Sequence, residues 1–306
     1  MPEPDRVYKR ATAETRMKAN TATRAVVLAA GHGSRAYPLT SVCPKALLPL
    51  GEETLVSRLV RQCQGLGLDV TVVVGENDKR VAAELKSHSV FADVEIVEAG
   101  AGENLFKSLT SIGGGNYTNG LIWMGASMVL SSADAIGRLT SERSEFNAFC
   151  ALYQQSTYQF RPTLVFEGGK LAGFDIGDPL PSSTRISAPT IYCVDAEFLE
   201  YATHYDEERV FQAAIDDGRR FLACEMAERA VEVRTPTEFL EAQVLVNPQG
   251  FTCDESVIEQ SDLMTSFVYG SEIHRTRLTN SIVLSGCVKD EELQNTIVAG
   301  DARFRI

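Results

Sequence analysis

The chain has 306 residues and a formal net charge of −12, from 29 basic and 41 acidic side chains. This acidic balance argues against general nucleic-acid or anionic-membrane binding, and no apolar stretch approaches the roughly 20 residues of a transmembrane helix. The length predicts two domains, while seven singly placed cysteines and a polar segment at 1–23 without a secretory signal predict free thiols in the cytoplasm.

The first half of the chain predicts strands and helices in alternation. After a flexible polar tail at 1–23, strands are predicted at 24–28, 70–74, 94–97 and 120–124, and helices at 55–66, 78–86 and around 108–112. The unbroken β-branched run at 70–74 is typical of a strand buried on both faces. This order predicts an α/β fold with a Rossmann-like, doubly wound mixed sheet, whose ligand lies at the carboxyl ends of the strands.

The pattern changes in the second half. Short strands bounded by Gly and Pro are predicted at 149–153, 163–166, 171–174 and 188–193, which is more typical of an antiparallel insertion. A helix at 207–217 and a strand at 221–225 follow. Thr235, Pro236 and Glu238 then form the N-cap, first position and third position of a closing helix.

After Pro248, short β-branched runs with turn glycines recur at near-regular spacing. This pattern is typical of a parallel β-helix of about three coils. Because about three coils bury little surface alone, we expect the tail to pack on the preceding domain, on a second subunit, or on both. A homo-oligomer is therefore predicted.

The strongest chemical signal is the loop that follows the first strand. Gly31 and Gly33 let backbone amides approach a ligand without a Cβ clash, and such a loop of amides forms an anion site. Arg35 and Lys45 add a planar guanidinium and a point charge nearby. The residues predict a triphosphate or pyrophosphate site.

The same residues 31–36 also fit the G-x-G-x-x-A dinucleotide fingerprint. That fingerprint requires a helix to open within the glycine loop, and an acidic residue after a second strand about 20 residues on. Pro38 and Pro44 oppose a regular helix here, and Glu52 and Glu53 follow no predicted strand. The dinucleotide interpretation is therefore disfavoured.

The segments Leu28-Ala-Ala-Gly-x-Gly-Ser-Arg-x-x-Pro-Leu-Thr40 and Pro44-Lys-x-Leu-Leu-Pro49 resemble the signature of the sugar-1-phosphate nucleotidyltransferases. Ser34 stands where that family usually has threonine, and the likeness extends more weakly to about residue 300. The resemblance implies a nucleotidyltransferase domain at 24–246 and a left-handed β-helix-like domain at 247–306. It also implies that a sugar-1-phosphate, or a similar small phosphorylated alcohol or amine, attacks the α-phosphorus of an NTP and releases pyrophosphate.

The resemblance further implies roles for individual residues. Lys45 would stabilise the α-phosphate and Arg35 would hold the β- and γ-phosphates. Nucleotide contacts would come from Leu28, Ala29, Ala30, Gly31, His32, Gly33, Ser34, Asn104, Ser108 and Gly125. For Asn104 and Ser108 a structural helix start is an equal alternative, and His32 also fits a variable loop position. Trp123, near the end of an apolar strand, is better explained as a core residue than as a base-stacking platform.

The family's metal site is incomplete in this sequence. The family normally follows its fourth strand with Gly-Asp, whose carboxylate binds Mg²⁺, whereas this chain has Gly125-Ala126-Ser127. A methyl group cannot ligate a hard cation that prefers oxygen. The resemblance implies that the family's second metal carboxylate corresponds to Glu232, just before the Thr-Pro helix.

The family's sugar-phosphate lysine is also absent, and Lys170 or Arg185 would have to replace it. Three explanations of Ala126 stay open: an engineered replacement, a natural enzyme that holds Mg²⁺ through Glu232, phosphates and water, or an inactive nucleotide-binding regulatory homologue.

Overall fold

The fold is known from a computed structural model. It describes residues 24–75, 79–99, 112, 121–139, 149–153, 163–167, 170–175, 184–187, 191–194, 198, 200–201, 204, 209–219, 221–225, 229–253 and 255–306. The helices are α1 (Leu55–Gly65), α2 (Lys79–Ser87), α3 (Val210–Asp216) and α4 (Pro236–Val246), and residues 134–139 are also helical.

The strands of the body are β1 (Arg24–Ala29), β2 (Pro49–Leu50), β3 (Glu53–Thr54), β4 (Asp69–Gly75), β5 (Glu95–Ala99), β6 (Leu121–Gly125), β7 (Met128–Leu130), β8 (Phe149–Tyr153), β9 (Thr163–Glu167), β10 (Lys170–Asp175), β11 (Thr184–Ser187), β12 (Ile191–Val194), β13 (Phe221–Glu225) and β14 (Ala230–Glu232). Those of the tail are β15 (Phe251–Thr252), β16 (Val257–Glu259), β17 (Asp262–Met264), β18 (Phe267–Tyr269), β19 (Glu272–His274), β20 (Arg277–Thr279), β21 (Ile282–Leu284), β22 (Cys287–Lys289), β23 (Glu292–Gln294), β24 (Thr296–Ala299) and β25 (Ala302–Arg305).

A seven-stranded mixed sheet forms the centre of the body, in the order β13-β8-β12-β6-β1-β4-β5. β1 is an interior strand that pairs in parallel with both β4 and β6, and β4 pairs in parallel with β5. β12 runs antiparallel to its two neighbours, β6 and β8. The parallel strands β1, β4 and β5, with α1 and α2 between them in the chain, confirm the predicted fold class.

Apolar side chains cover both faces of the sheet. On β1, Val27 faces one apolar cluster with α1 and α2, while Val26 and Leu28 face another that contains α3. This alternation follows from the two-residue period of a strand. The doubly wound arrangement therefore agrees with the β-branched runs of the sequence.

The predicted antiparallel insertion is only half correct. β9, β10 and β11 form a separate antiparallel sheet, in the order β10-β9-β11. The strands predicted at 149–153 and 188–193 correspond instead to β8 and β12, which belong to the central sheet. Turn-bounded short strands look alike in sequence whichever sheet they join, because partner choice is a tertiary property. The helix predicted around 108–112 lies mostly outside the described residues.

The tail is built from five-residue units that wind into coils of parallel strands. Strands fifteen residues apart stack in register, as Phe267 does on Ile282. Residues with positive φ recur every five positions from Gln260 to Gly300, most of them not glycine. The side chain in the middle of most strands points into an apolar interior, as Val283 and Val288 do. A parallel β-helix tail is confirmed, while its left-handed winding stays a prediction.

Small hydroxyl side chains tie one coil of the tail to the next. The Ser266 hydroxyl accepts the Ser281 N–H at 3.3 Å, and the Ser281 hydroxyl accepts the Thr296 N–H at 3.1 Å. The Ser271 hydroxyl similarly accepts the Gly286 N–H at 3.2 Å. These hydroxyls satisfy backbone amides at the corners, where the strand ladder is interrupted.

One of the three faces of the tail packs against the body. Phe267 and Ile282, fully buried, join Leu39, Leu48 and Phe239 in a shared apolar cluster. A polar bridge lies beside it.

In that bridge, the buried Tyr269 hydroxyl donates to Gln243 Oε1 at 2.8 Å and accepts the Gly51 N–H at 2.9 Å. The Gln243 amide in turn donates to the Pro49 carbonyl at 2.6 Å. The expected packing of the tail on the preceding domain is thus observed, whereas packing on a second subunit stays a prediction.

Among the described residues, no helix has the length and apolarity needed to cross a membrane.

Candidate active site

The glycine loop begins at the carboxyl end of β1, an interior strand of the sheet. After it the chain forms three short 3-10 turns, at Ser34–Ala36, Leu39–Ser41 and Lys45–Leu47. Leu39 and Leu48 are fully buried and fix this segment against the core. The absence of an α-helix from these turns agrees with the two prolines and weighs against a dinucleotide site.

Gly33 and Gly31 serve different purposes in the loop. Gly33 has φ +67°, and a Cβ there would lie 2.8 Å from Lys45 Cβ, so only glycine lets the loop rest on this lysine. The Thr40 hydroxyl holds the same turn by donating to the Gly33 carbonyl at 3.3 Å. Around Gly31, in contrast, no atom of the described chain comes within 4 Å of a Cβ position. The backbone there is open to a ligand.

Lys45 is the electrostatic centre of the site. Burial lowers the pKa of Lys45, the nearby carboxylate of Glu232 raises it, and the cations of Arg35 and Arg234 lower it again. The carboxylate of Glu238 raises this pKa more weakly, and the net direction is downward. Burial and the nearby cations disfavour the charged form of this lysine, so an anion that binds beside it would stabilise that form.

Glu232 reaches the site because β14 pairs with β7. Glu232 lies opposite Met128, and the Val233 N–H donates to the Ser127 carbonyl at 2.9 Å. The Glu232 side chain remains 21% exposed, and its nearest Arg234 nitrogen is 3.9 Å away. The structure therefore brings Glu232 next to the turn that contains Ala126, as the family resemblance required.

The other nearby carboxylate is committed to a helix cap. Glu238 accepts the Arg234 and Thr235 backbone N–H groups at 2.8 Å each, and its second oxygen receives Arg234 Nη2 at 3.3 Å. Thr235 completes this capping box by accepting the Glu238 N–H. Of the two described carboxylates that affect the Lys45 pKa, Glu232 is thus the one that no helix cap uses.

Ala126 follows β6 directly and is buried, with 3% of its surface exposed. Its N–H donates to the Leu28 carbonyl at 2.8 Å, which joins the ends of β1 and β6. Its methyl group belongs to the apolar cluster that also contains Ala46 and Met128. Position 126 therefore contributes packing and a backbone bond, but no ligand.

The predicted nucleotide-contacting residues at 28–34 all lie on β1 and the loop after it, and Gly125 pairs with Leu28 at the adjacent strand end. His32, Ser34 and Arg35 are exposed at the loop surface. Asn104 and Ser108 lie outside the described residues. Lys170 and Arg185 lie on the separate sheet formed by β9–β11, and the structure does not describe their side chains.

Trp123 is confirmed as a core residue. It is fully buried and stacks on Tyr192, with ring centroids 4.9 Å apart. This ring lies inside the apolar cluster on the α3 side of the sheet. It is not available to a nucleobase.

Sequence reasoning missed Arg234 as a member of the site. Its guanidinium lies between Glu232 and Glu238 and is close enough to affect Lys45. The available signal was its place between the candidate metal carboxylate and the N-cap Thr235. Around Lys45, on which the glycine loop rests, the described residues therefore bring together two arginines and the carboxylate of Glu232. This arrangement is suited to a polyphosphate with a bound divalent cation.

Comparison with known proteins agrees with this geometry. Residues 25–220 match the model of the MobA-like NTP transferase domain. A 72-residue segment is 42% identical to the bifunctional IPC transferase and DIPP synthase of Aquifex aeolicus (strain VF5). That match spans 23% of this chain and only 17% of the relative.

Solved structures share the fold at low sequence identity. One from Bacillus anthracis, described as a glucose-1-phosphate thymidylyltransferase in complex with sucrose, has TM-score 0.63 and 17% identity, covering 73% of this chain and 94% of that one. A UDP-glucose pyrophosphorylase from Acinetobacter baumannii has TM-score 0.59 and 14% identity, covering 73% and 92%. Together with the family match, the resemblance drawn from the loop motif is confirmed: the chain belongs to the MobA-like NTP transferase family of nucleotidyltransferases.

Proposed function

We propose that the chain transfers a nucleoside monophosphate from an NTP to a sugar-1-phosphate, or to a similar small phosphorylated alcohol or amine, and releases pyrophosphate. The observation that carries this proposal is the position of Lys45, which is buried near Glu232 and two arginines and beneath the glycine loop. A binding surface for a neutral sugar would not need this charge arrangement. The glycine loop and Lys45 instead fit the α-phosphate of a triphosphate.

The reaction is an in-line displacement at the α-phosphorus. A phosphate oxygen of the acceptor forms the new P–O bond while the bond to pyrophosphate breaks, and pyrophosphate leaves with that electron pair. Lys45 neutralises charge that develops on the α-phosphate, and the exposed Arg35 binds the β- and γ-phosphates. The backbone of Gly31 and Gly33 lines the nucleotide. Positioning and electrostatic stabilisation then supply most of the rate acceleration.

The residues present fit a divalent cation with a minimal protein ligand set. Mg²⁺ typically takes one or two carboxylates and completes its six positions with water and substrate phosphates. Glu232 is one such carboxylate, and it lies beside Lys45 with its side chain partly exposed. Mg²⁺ bound there would neutralise phosphate charge, and Glu232 would hold it.

A second candidate function is favoured by Ala126. A chain that binds a nucleotide or sugar nucleotide without turning it over would need the cations but not a second metal carboxylate. The buried methyl group of Ala126 meets that description. The two functions differ in whether pyrophosphate appears.

A thermal-shift screen of nucleoside triphosphates with Mg²⁺ identifies the base, because a ligand at 100 times its dissociation constant adds about 2.7 kcal/mol to stability. Pyrophosphate release is then measured for that NTP with pooled sugar and polyol phosphates. We expect Mg²⁺-dependent release that Glu232→Gln abolishes and that Glu52→Gln, at an exposed carboxylate on the turn between β2 and β3, does not change. Equal rates in both variants would reject Glu232 as the metal residue.

A further inference from the structure

The outer surface of the tail carries a second cluster of ligating side chains, separate from the residues around Lys45. Glu272 and His274 belong to β19, and Cys287 belongs to β22 in the next coil. The carboxylate, imidazole and thiol ligand atoms of these three residues all lie within 4.8 Å of one another. It is the one group of this kind that the described part of the chain contains.

The backbone register fixes this cluster. β19 pairs in parallel with β22, so that Glu272 lies directly beside Cys287. Because side chains alternate along a strand, Glu272 and His274 point outward together while Ile273, between them, is fully buried in the tail interior. Val288 is fully buried in the same way next to Cys287. The three ligating groups therefore stand on paired strands rather than on a loop.

His274 is already oriented as a metal-binding histidine would be. Its Nδ1 lies 3.1 Å from the Glu259 carboxylate in the preceding coil, and its Nε2 lies 3.7 Å from Glu272 Oε2. Metal-bound histidines almost always donate their second ring N–H to a carboxylate or carbonyl, which fixes the tautomer. Glu259 supplies that carboxylate and leaves Nε2 directed toward Glu272, next to which Cys287 lies.

We propose that Glu272, His274 and Cys287 bind one divalent transition-metal ion, most suitably Zn²⁺, with Glu259 as the carboxylate that orients His274. A thiolate, an imidazole and a carboxylate together are a zinc ligand set, whereas Mg²⁺ prefers oxygen alone. Three protein ligands leave the fourth tetrahedral position to water or to another molecule. On binding, the Cys287 thiol loses its proton to solvent and forms the S–Zn bond.

The charges around this site favour a bound cation. Lys289 pairs in register with His274 and is the nearby cation on the same face. Arg275 is bound to Asp290 through two hydrogen bonds, of 2.5 and 2.6 Å, so its charge is neutralised locally. The carboxylates of Glu259 and Glu272 therefore outweigh the remaining positive charge of Lys289. The ion would join two successive coils, and its binding should stabilise the tail.

Cobalt titration of the full chain tests the proposal, since Co²⁺ replaces Zn²⁺ and is coloured. We expect a thiolate-to-cobalt charge-transfer band and tetrahedral visible bands at one equivalent, both removed by adding Zn²⁺. Cys287→Ser should abolish the charge-transfer band. His274→Gln should weaken binding of both ions at least ~100-fold, and Glu259→Gln about 10- to 100-fold, the range for residues that orient a ligand.

Two control variants separate this site from adventitious binding. His88→Gln removes an exposed histidine that pairs with Glu84 elsewhere, and Cys253→Ser removes a half-buried thiol of the tail; neither should change the spectrum. Circular dichroism verifies that each variant is folded. Undiminished Zn²⁺ affinity in His274→Gln, or a charge-transfer band that persists in Cys287→Ser, would overturn the proposed site.

Discussion

Replacing Lys45 with methionine should weaken nucleotide binding and at the same time stabilise the free protein. Methionine keeps most of the volume of the lysine stem and removes its charge. The lost interaction with phosphate is a charge-assisted hydrogen bond, worth about 1.5–3 kcal/mol. That range corresponds to an increase of about 10- to 150-fold in the dissociation constant of the NTP.

The gain in stability follows from the direction of the Lys45 pKa. Burial is the largest cause that lowers this pKa below 10.5, so the folded state holds the Lys45 proton less tightly than the unfolded state does. The resulting destabilisation is fully present below the folded-state pKa and disappears as the pH rises toward 10.5. At neutral pH, Lys45→Met without nucleotide should therefore melt at a higher temperature than the wild type.

Calorimetric titration with the NTP, and thermal melting without it, measure the two effects separately. Lys86→Met is the matched control, because Lys86 is exposed on α2 and should change neither quantity. If Lys45→Met retained the wild-type affinity, the assignment of Lys45 to the phosphate site would be refuted. If affinity fell but the melting temperature fell as well, Lys45 would be a structural residue.

Three further predictions concern Arg35, the tail and its bridge to the body. Arg35→Ala should weaken NTP binding by about 1.5 kcal/mol, the low end for a charge-assisted bond, and calorimetry at two salt concentrations should show a smaller effect at high salt because Arg35 is exposed. Deleting residues 250–306 should convert an oligomer to monomers or yield insoluble protein, because the deletion exposes the apolar cluster around Leu39 and Phe239. A full-length chain that sediments as a monomer would count against the predicted oligomer. Burial raises the pKa of Tyr269 from 10.0 to about 12, so wild-type stability should fall as the pH rises from 10 to 12. Tyr269→Phe should lower the free energy of unfolding by about 1–3 kcal/mol near neutral pH, because the Gly51 N–H and Gln243 lose their hydrogen-bond partner. The stability of this variant should fall less steeply above pH 10 than that of the wild type, and an equally steep fall would contradict the assignment.

The parts of the fold that the sequence predicted well are those with local signals. The β-branched run at 70–74 and the apolar periodicity at 55–66 correspond closely to β4 and α1. The capping box at Thr235 and Glu238 predicted the start of α4 correctly. In each case the information lies within one turn or one strand, so no tertiary partner was needed.

Features that depend on pairing were missed or misplaced. β7 and β14 are three-residue strands that carry no periodic signal, yet their pairing is what brings Glu232 to the turn at Ala126. Arg234 was overlooked because its role depends on Glu238 being used by the helix cap. The five-residue period of the tail was present in the sequence, but positive φ at residues such as Asn280 and Asp290 becomes visible only in the structure.

The most direct test of the central claim compares pyrophosphate release by the wild type and by Ala126→Asp, with every NTP and pooled acceptor phosphates. We expect the introduced carboxylate to give Mg²⁺ a second protein ligand beside Glu232 and to raise the rate at least ~100-fold, since losing a metal-centred charge clamp costs several kcal/mol. Melting curves control for the cost of placing a carboxylate near the apolar cluster of Ala46 and Met128. A fast wild type that Ala126→Asp does not improve would show that the metal is held elsewhere. If neither folded form released pyrophosphate with any substrate pair while NTP still bound, nucleotidyl transfer would be contradicted. The chain would then be a nucleotide-binding regulatory protein.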